Sequence, residues 1–392
     1  MYIIGEEEID AVARVIRSGK LFRYDDTSEC SVFERRYGEF LGAAHVGLTS
    51  SGTSALTAAL VGVGIGPGDE VIVPAHTYMA TAVSVLAVGA IPVIVDIDES
   101  ICLDPQAVER AIGPQTRAVI PVHMWGQICD MDAIMKVADA HNLIVVEDAC
   151  QAVGGAYGKR MAASIGHAGA FSFNYFKNIS CGEGGAVVTS DRAVYQRAIC
   201  AIDCCRYFWN DRETDAPHFT YSGSRASEIE GAILNAQLDR LPGMIASMRE
   251  QKQRILRETA DLGLGAVPRH SPEGECATAT MFALPTAEQA RDFAERVSGT
   301  ILLKTGRHTY HEWTPILEHR GGPHPATNPY EMPQNAACRK EYSRDMCPRS
   351  LEILSRTVSI GNNPKRTDED VTKLVGRIRE AAAAVLETTS AE

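Results

Sequence analysis

Apolar residues at 9, 12, 15 and 16 recur at helical spacing over 6–18, and Ser18-Gly19 closes the stretch where glycine suits a C-terminal cap. A second helix is predicted over 32–41. From Val46 to about Thr189 the pattern becomes an alternation. Short apolar runs (Val71 to Val73, Ile91 to Val95, Ala118 to Val122, Leu143 to Val146) are separated by helical stretches at 53–63, 77–88 and 131–140. Runs that are apolar at every position read as strands buried on both faces, so the alternation predicts an α/β unit with a mostly parallel sheet covered by helices. In open sheets of this kind ligands gather beyond the carboxyl ends of the strands.

Residues 227–258 read as a long helical region, with Ile229, Ile233, Gln237, Leu238 and Leu241 on related faces, followed after Pro242 by a basic amphipathic helix. Past residue 260, strand candidates begin at Thr280, Thr300 and Thr357 and helices at 286–297 and 367–386, which predicts a smaller α+β unit. The segment 306–346 is rich in His, Pro, Gly and aromatics, lacks a period, and reads as a long ordered loop. The last six residues read as a frayed end.

A chain of 392 residues favours two packed units, here 1–245, which holds the N-terminal helices and the larger sheet, and 246–392. Hydrophobic residues make up 45% and charged residues 22%. No apolar run approaches the roughly 20 residues of a membrane span, and the start lacks a basic, apolar secretory leader, so the expected location is cytoplasmic. A net charge of −12 without clustered Lys and Arg argues against a nucleic-acid partner. The 11 cysteines include the adjacent Cys204-Cys205 but no C-x-x-C, so no metal site is expected and free thiols are.

Four stretches carry chemistry. Leu48 to Leu56 (LTSSGTSAL) is a small-residue turn between strand and helix, able to aim free N–H groups at a phosphate; a plain Ser/Thr cap explains it equally well. Tyr78, where another strand gives way to a helix, can lie flat on a planar cofactor or simply pack in the core. Asp148 follows a buried strand and needs a cation or strong donor, either a structural ion pair or a pyridinium N–H. Lys177 sits between the aromatic strand Phe171-Ser172-Phe173 and the turn Gly182-Glu183-Gly184-Gly185. Desolvation there frees its lone pair for imine formation, whereas a lysine by itself reads as a solvated surface residue.

Together these motifs resemble the DegT/DnrJ/EryC1/StrS family of pyridoxal-phosphate-dependent sugar aminotransferases. The likeness runs over nearly the whole chain: Ser18-Gly19, Phe33-Glu34, S-S-G-T-x-A-L, G-D-E-V-I-V-P-x-x-T-Y, E-D-A-x-Q-A, F-S-F-x-x-x-K and G-E-G-G. The resemblance implies the type I (aspartate aminotransferase-like) fold, with the cofactor pyridoxal 5'-phosphate held by Lys177 as the Schiff-base lysine. Asp148 then pairs with the pyridine nitrogen, Gln151 lies on the ring-hydroxyl side, Tyr78 stacks on the ring, and Gly52, Thr53 and Ser172 contact the phosphate. Glu183 lines the substrate side. It further implies a glutamate or glutamine donor, a keto or aldehyde sugar-like acceptor, ping-pong kinetics, and a homodimer in which Arg225 and the 219–225 segment complete the other subunit's site. His308 and His311 are candidates for the acceptor pocket, or ordinary loop histidines.

Three departures stand out. Gly166-His167 replaces Gly-Asp, Gly223 stands where an asparagine reaches the phosphate, and Tyr157-Gly158-Lys159 replaces Y-K-G-K. Within the family, Cys102-Leu103, Val122-His123-Met124, the Cys181 turn and Leu354 to Thr357 resemble 8-amino-3,8-dideoxy-octulosonate aminotransferases, while cyclitol aminotransferases share the C-G-E-G-G turn. A sugar dehydratase on the same fold is the alternative reaction; Lys177 and the lack of a cysteine cluster favour amino transfer. A non-catalytic pyridoxal-phosphate-binding regulator is the other alternative, and it needs a basic partner module.

Overall fold

A computed structural model describes residues 2–208 and 216–386. The last six residues, read above as frayed, lie outside the described residues.

Two helices open the chain. The first, α1 (Glu6–Ser18), has three acidic residues in its first turn and ends at Gly19 with φ 65°, the left-handed cap that glycine adopts without strain. The second, α2 (Glu29–Leu41), starts three residues earlier than the apolar spacing indicates, because Ser28 caps it by accepting from the Ser31 amide.

An alternating region follows: β1 (His45–Thr49), α3 (Gly52–Gly62), β2 (Glu70–Pro74), α4 (Ala80–Ala87), β3 (Ile91–Val95), α5 (Pro105–Ala111), β4 (Thr116–Val119), α6 (Met131–His141) and β5 (Ile144–Asp148). A short hairpin, β6 (Ala156–Tyr157) with β7 (Arg160–Met161), precedes β8 (Ala168–Ser172), β9 (Gly185–Thr189) and α7 (Arg192–Ile202). The seven-stranded sheet has the order β1-β9-β8-β5-β4-β2-β3. Within it only β9 runs against its neighbours. Strands β2, β3 and β8 are buried at every position, which is why their sequences carry no polar alternation.

The long helical region comprises two helices, α8 (Glu228–Leu238) and α9 (Leu241–Glu258), separated at Asp239-Arg240, the second being the basic amphipathic helix read around Pro242. Pro242 in the first turn of α9 lacks the N–H that a continuous helix needs and starts a new one instead. Leu241, Ile245 and Met248 of α9 pack into the core beneath β8 and β9. Ile255, further along, packs into the core of the last region.

That region comprises β10 (Gly265–Ala266), β11 (Ala279–Ala283), α10 (Ala287–Val297), β12 (Thr300–Ile301), α11 (Thr314–Leu317), α12 (Pro348–Arg356), β13 (Thr357–Gly361) and α13 (Asp368–Leu386). Its sheet is antiparallel, in the order β10-β11-β13-β12. The strand expected at 300–303 stops after Ile301, since Leu302 turns away to bury itself in the larger core. The aperiodic segment 306–346 contains α11 and several 3₁₀ turns, three of them begun by Pro325, Pro329 and Pro333.

Buried ion pairs set the frame. Arg23 and Glu34 meet at 2.5 Å with both side chains buried, and together they bond the backbone of Leu48 on β1, the Glu34 carboxylate accepting from its amide and Arg23 donating to its carbonyl. Phe33-Glu34, one of the motif pairs, therefore locks α2 onto the first strand. On β5 the fully buried Glu147 accepts four donors: the amides of Ala163, Ile165 and Gly166, and His123 Nε2 at 3.0 Å. His123 Nδ1 accepts from the Cys129 amide, which puts the ring proton on Nε2. A buried carboxylate with every lone pair engaged is stable, and it fixes the loop that leads into β8.

His167 does what the departure from Gly-Asp left open. Its Nδ1 accepts from the Val145 amide at 3.0 Å and its carbonyl accepts from Thr189 Oγ1, tying β5, β8 and β9 together. Leaving a buried amide unpaired costs about 1–3 kcal/mol. His167→Leu is expected to lose about that much in urea unfolding, whereas His167→Asp, which keeps an acceptor, loses less; equal losses would refute the bond's role.

Candidate active site

The carboxyl ends of β1, β2, β5 and β8 converge on a cavity of about 670 Å³. Its lining includes Gly52, Thr53, Tyr78, Trp125, Asp148, Gln151, Ser172, Lys177, Glu183 and His308.

Lys177 sits in the connection between β8 and β9. Tyr175 and Cys181 extend the β8–β9 pairing beyond the regular strands, and Gln237 of α8 bonds both the amide and the carbonyl of Ser180, which holds the tip of the connection in place. Among the described residues the Lys177 amine has no hydrogen bond or ion pair. Burial pushes its pKa down from the ordinary lysine value; Cys150 and Asp148 oppose that effect, while Arg307 adds to it. A lysine so placed carries its lone pair at lower pH than a surface lysine.

Asp148 is buried at the end of β5. Thr81 Oγ1 donates to its Oδ2 at 2.7 Å and the Cys150 amide to its Oδ1 at 3.1 Å. These two donors orient the carboxylate and leave lone pairs for a cationic N–H from the cavity. Tyr78 is 39% exposed, so it presents its ring to the cavity and not to the core. Residues 77–79, read above as the start of a helix over 77–88, lie ahead of the helix instead. His76 bridges to Thr309, and the Met79 amide donates to the Arg307 carbonyl, so α4 begins only at Ala80.

At the head of α3 the Ser51 hydroxyl accepts from the Ser54 amide, and the Ser51 carbonyl from the Ala55 amide. The amides of Gly52 and Thr53 have no partner among the described residues and sit at the positive end of an eleven-residue helix, where a phosphate is favoured. The cap and the anion cradle thus coexist in one turn. A Cβ on Gly52 would lie 2.7 Å from Ser172 Cβ and 3.0 Å from Cys150 Sγ, and one on Gly185 would lie 2.4 Å from the Ser51 carbonyl oxygen. These contacts explain why each of the two turns that meet here has glycine at its point of contact.

The structure brings together Lys177, Asp148, Gly52, Thr53, Tyr78, Gln151, Ser172, Glu183 and His308. It does not bring Arg225 or His311 into this cavity. Arg225 is half-exposed and pairs with Asp203 at 3.3 Å, and His311 Nε2 pairs with Glu312 at 3.1 Å. His308 donates Nδ1–H toward the Thr305 carbonyl, and burial, with smaller effects from Arg307 and Lys177, pushes its pKa down to about 4. It is neutral at pH 7, with Nε2 free to accept.

Sequence reasoning missed Trp125, Thr278 and Arg307, all in the lining. Trp125 has φ 49°, ψ 43°, an uncommon conformation for a large side chain, and is held there by Thr278 Oγ1 bonding its carbonyl at 2.7 Å. No local signal marks it, because the restraint comes from a residue 153 positions away.

A buried carboxylate, a flat exposed ring, two unpartnered amides at a helix N-terminus and a lysine without a partner fit pyridoxal phosphate group by group. Fold and donor set together define the pyridoxal-phosphate-dependent transferase fold of type I. The chain belongs to the DegT/DnrJ/EryC1/StrS aminotransferase family, whose profile matches residues 2–379.

It is 43% identical over 220 residues to the GDP-perosamine synthase of Caulobacter vibrioides, covering 55% of this chain and 57% of that protein. It is 37% identical over 273 residues to the L-glutamine:2-deoxy-scyllo-inosose aminotransferase of Micromonospora echinospora, covering 66% and 63%. These matches span less than two thirds of either relative's length. Among solved structures, the aminotransferase from Psychrobacter cryohalolentis superposes with a TM-score of 0.81 at 26% identity, covering 98% of both chains.

Overpacking a tight contact costs about 1–3 kcal/mol, and 1.4 kcal/mol is tenfold in affinity. Gly52→Ala is therefore expected to raise the Kd of the apoprotein for pyridoxal phosphate about tenfold or more in a fluorescence titration. An unchanged Kd would remove this turn from the binding site.

Proposed function

We propose that the protein is a cytoplasmic pyridoxal-phosphate-dependent aminotransferase that takes an amino group from glutamate or glutamine and delivers it to a keto or aldehyde group of a sugar or sugar-like acceptor. The observation that carries this reading is the unpartnered Lys177 amine, in one cavity with the oriented, buried Asp148 carboxylate.

When bound, pyridoxal phosphate supplies an aldehyde that captures amines and a ring that takes up the electron pair left when a proton departs from the neighbouring carbon. Lys177 Nζ, whose pKa burial lowers, is the base that accepts the proton from the donor's Cα and the acid that returns it. Asp148 keeps a proton on the ring nitrogen, and Thr81 and the Cys150 amide stop its carboxylate from rotating away. The Gly52 and Thr53 amides and the Ser172 hydroxyl hold the phosphate, and they carry it without the asparagine that Gly223 replaces. Tyr78 lies against the ring face, Gln151 serves the ring-hydroxyl side, and Glu183 lines the substrate side. One lysine serving two half-reactions in a single cavity gives ping-pong kinetics.

In this reading two copies of the chain form a homodimer, and Arg225 with the 219–225 segment completes the site of the other subunit. The outward, half-exposed position of Arg225 suits that role. The two sugar or cyclitol enzymes named above, a GDP-perosamine synthase and a deoxy-inosose aminotransferase, support an oxygen-rich acceptor.

Borohydride treatment of the holoprotein is expected to fix a pyridoxyl group on the peptide that contains Lys177, and glutamate or glutamine to bleach the cofactor absorbance. Lys177→Ala should show no fixation and lose about 10²–10⁴-fold in amino transfer. Fixation on another residue, or no bleaching by either donor, would overturn the proposal.

A further inference from the structure

We propose that Arg307 is an anion clamp at the mouth of the cavity and that the acceptor is a polyhydroxy compound bearing a carboxylate or phosphate. The inference rests on the aminotransferase reading above and adds the charge of the acceptor to it.

The four charged side chains of the cavity lining are Asp148, Lys177, Glu183 and Arg307. Asp148 and Lys177 serve the cofactor. Of the remaining two, Arg307 has no acidic partner and no side-chain hydrogen bond among the described residues. Its neighbours there are ring faces: the guanidinium carbon lies 5.3 Å from the Tyr78 ring centroid and 6.0 Å from that of Phe176.

A guanidinium stacked on aromatic faces keeps its N–H edge free, and that edge matches the two oxygens of a carboxylate or phosphate. Its backbone is fixed as well, since the Arg307 carbonyl accepts both the Met79 amide and the indole N–H of the fully buried Trp313, each at 3.0 Å. Tyr78, Arg307 and Phe176 thus form a stack beside the amine that does the chemistry.

The two neighbours of this clamp suit the rest of such a molecule. His308 is neutral, with Nδ1 committed to Thr305 and Nε2 left to accept from a hydroxyl. Trp125, whose ring centroid is 5.7 Å from that of His308, offers an apolar face for the carbon skeleton. A cation, a hydroxyl acceptor and an aromatic face are the groups that read a polyol acid.

The test uses the holoenzyme, in which the phosphate site is already filled by cofactor, and unreactive probes in charged and neutral pairs: D-gluconate against D-gluconamide, and D-glucose 6-phosphate against D-glucose. Isothermal titration calorimetry of the wild type is expected to show at least tenfold tighter binding of one charged probe than of its neutral partner. The winning pair identifies carboxylate or phosphate. Arg307→Gln should erase the preference while retaining the cofactor absorbance, and Arg307→Lys should restore part of it.

Equal or unmeasurable binding of charged and neutral probes by the wild type, or a preference that survives in Arg307→Gln, overturns the clamp. Should Arg307→Gln fail to hold cofactor, the wild-type preference and the Arg307→Lys variant decide the matter. Absence of borohydride fixation at Lys177 would sink the underlying aminotransferase reading; intact fixation without charge preference would sink the clamp alone.

Discussion

Two adjacent carboxylates end β5, and strand geometry sends them to opposite faces of the sheet. Glu147 is fully engaged by three backbone amides and His123, and it holds the loop that delivers β8. Asp148, one residue on, takes two oriented donors and keeps lone pairs for the cavity. Burying a carboxylate is costly unless it is bonded. The satisfied partner therefore stabilises the frame, while Asp148 keeps lone pairs that face the cavity. The position of Lys177 follows from the same arrangement, because β8 pairs with β5 and carries the chain toward it.

The cavity is not made by the larger sheet alone. Thr278, at the edge of β11, fixes the left-handed Trp125, and the 305–310 segment is bonded to the turn after β2 through His76 and Thr309, Tyr310 and Ala75, and Met79 and Arg307. Residues about 230 positions apart are thereby held in one wall. In the lining, Gly52, Thr53, Tyr78, Asp148 and Ser172 come from strand ends of the larger sheet, whereas Thr278, Arg307 and His308 come from the later part of the chain.

The departures from the family's motifs illustrate how such a frame absorbs change. His167 supplies, through a ring nitrogen, an acceptor for the Val145 amide. Gly223 supplies no side chain at all, yet the segment around it is still anchored: the Ser224 carbonyl accepts from the Ser50 amide, the Ser224 amide donates to Ile202, and Arg225 pairs with Asp203. Backbone bonds keep the segment's course where a side chain has been lost.

The sequence by itself determined the alternating α/β order, the strands buried on both faces and the cluster of small, acidic and lysine residues at strand ends, because each is written locally in periodicity or in a short motif. Helix starts at Glu29 and Ala80 and the early end of β12 were decided by a cap and by contacts with distant segments, which outweigh local spacing. Arg307 and Trp125 were invisible for the same reason: an arginine in an aperiodic loop and a tryptophan after a strand have ordinary local contexts. Only the tertiary structure, by stacking one on Tyr78 and Phe176 and pinning the other from Thr278, gave them a place in the cavity.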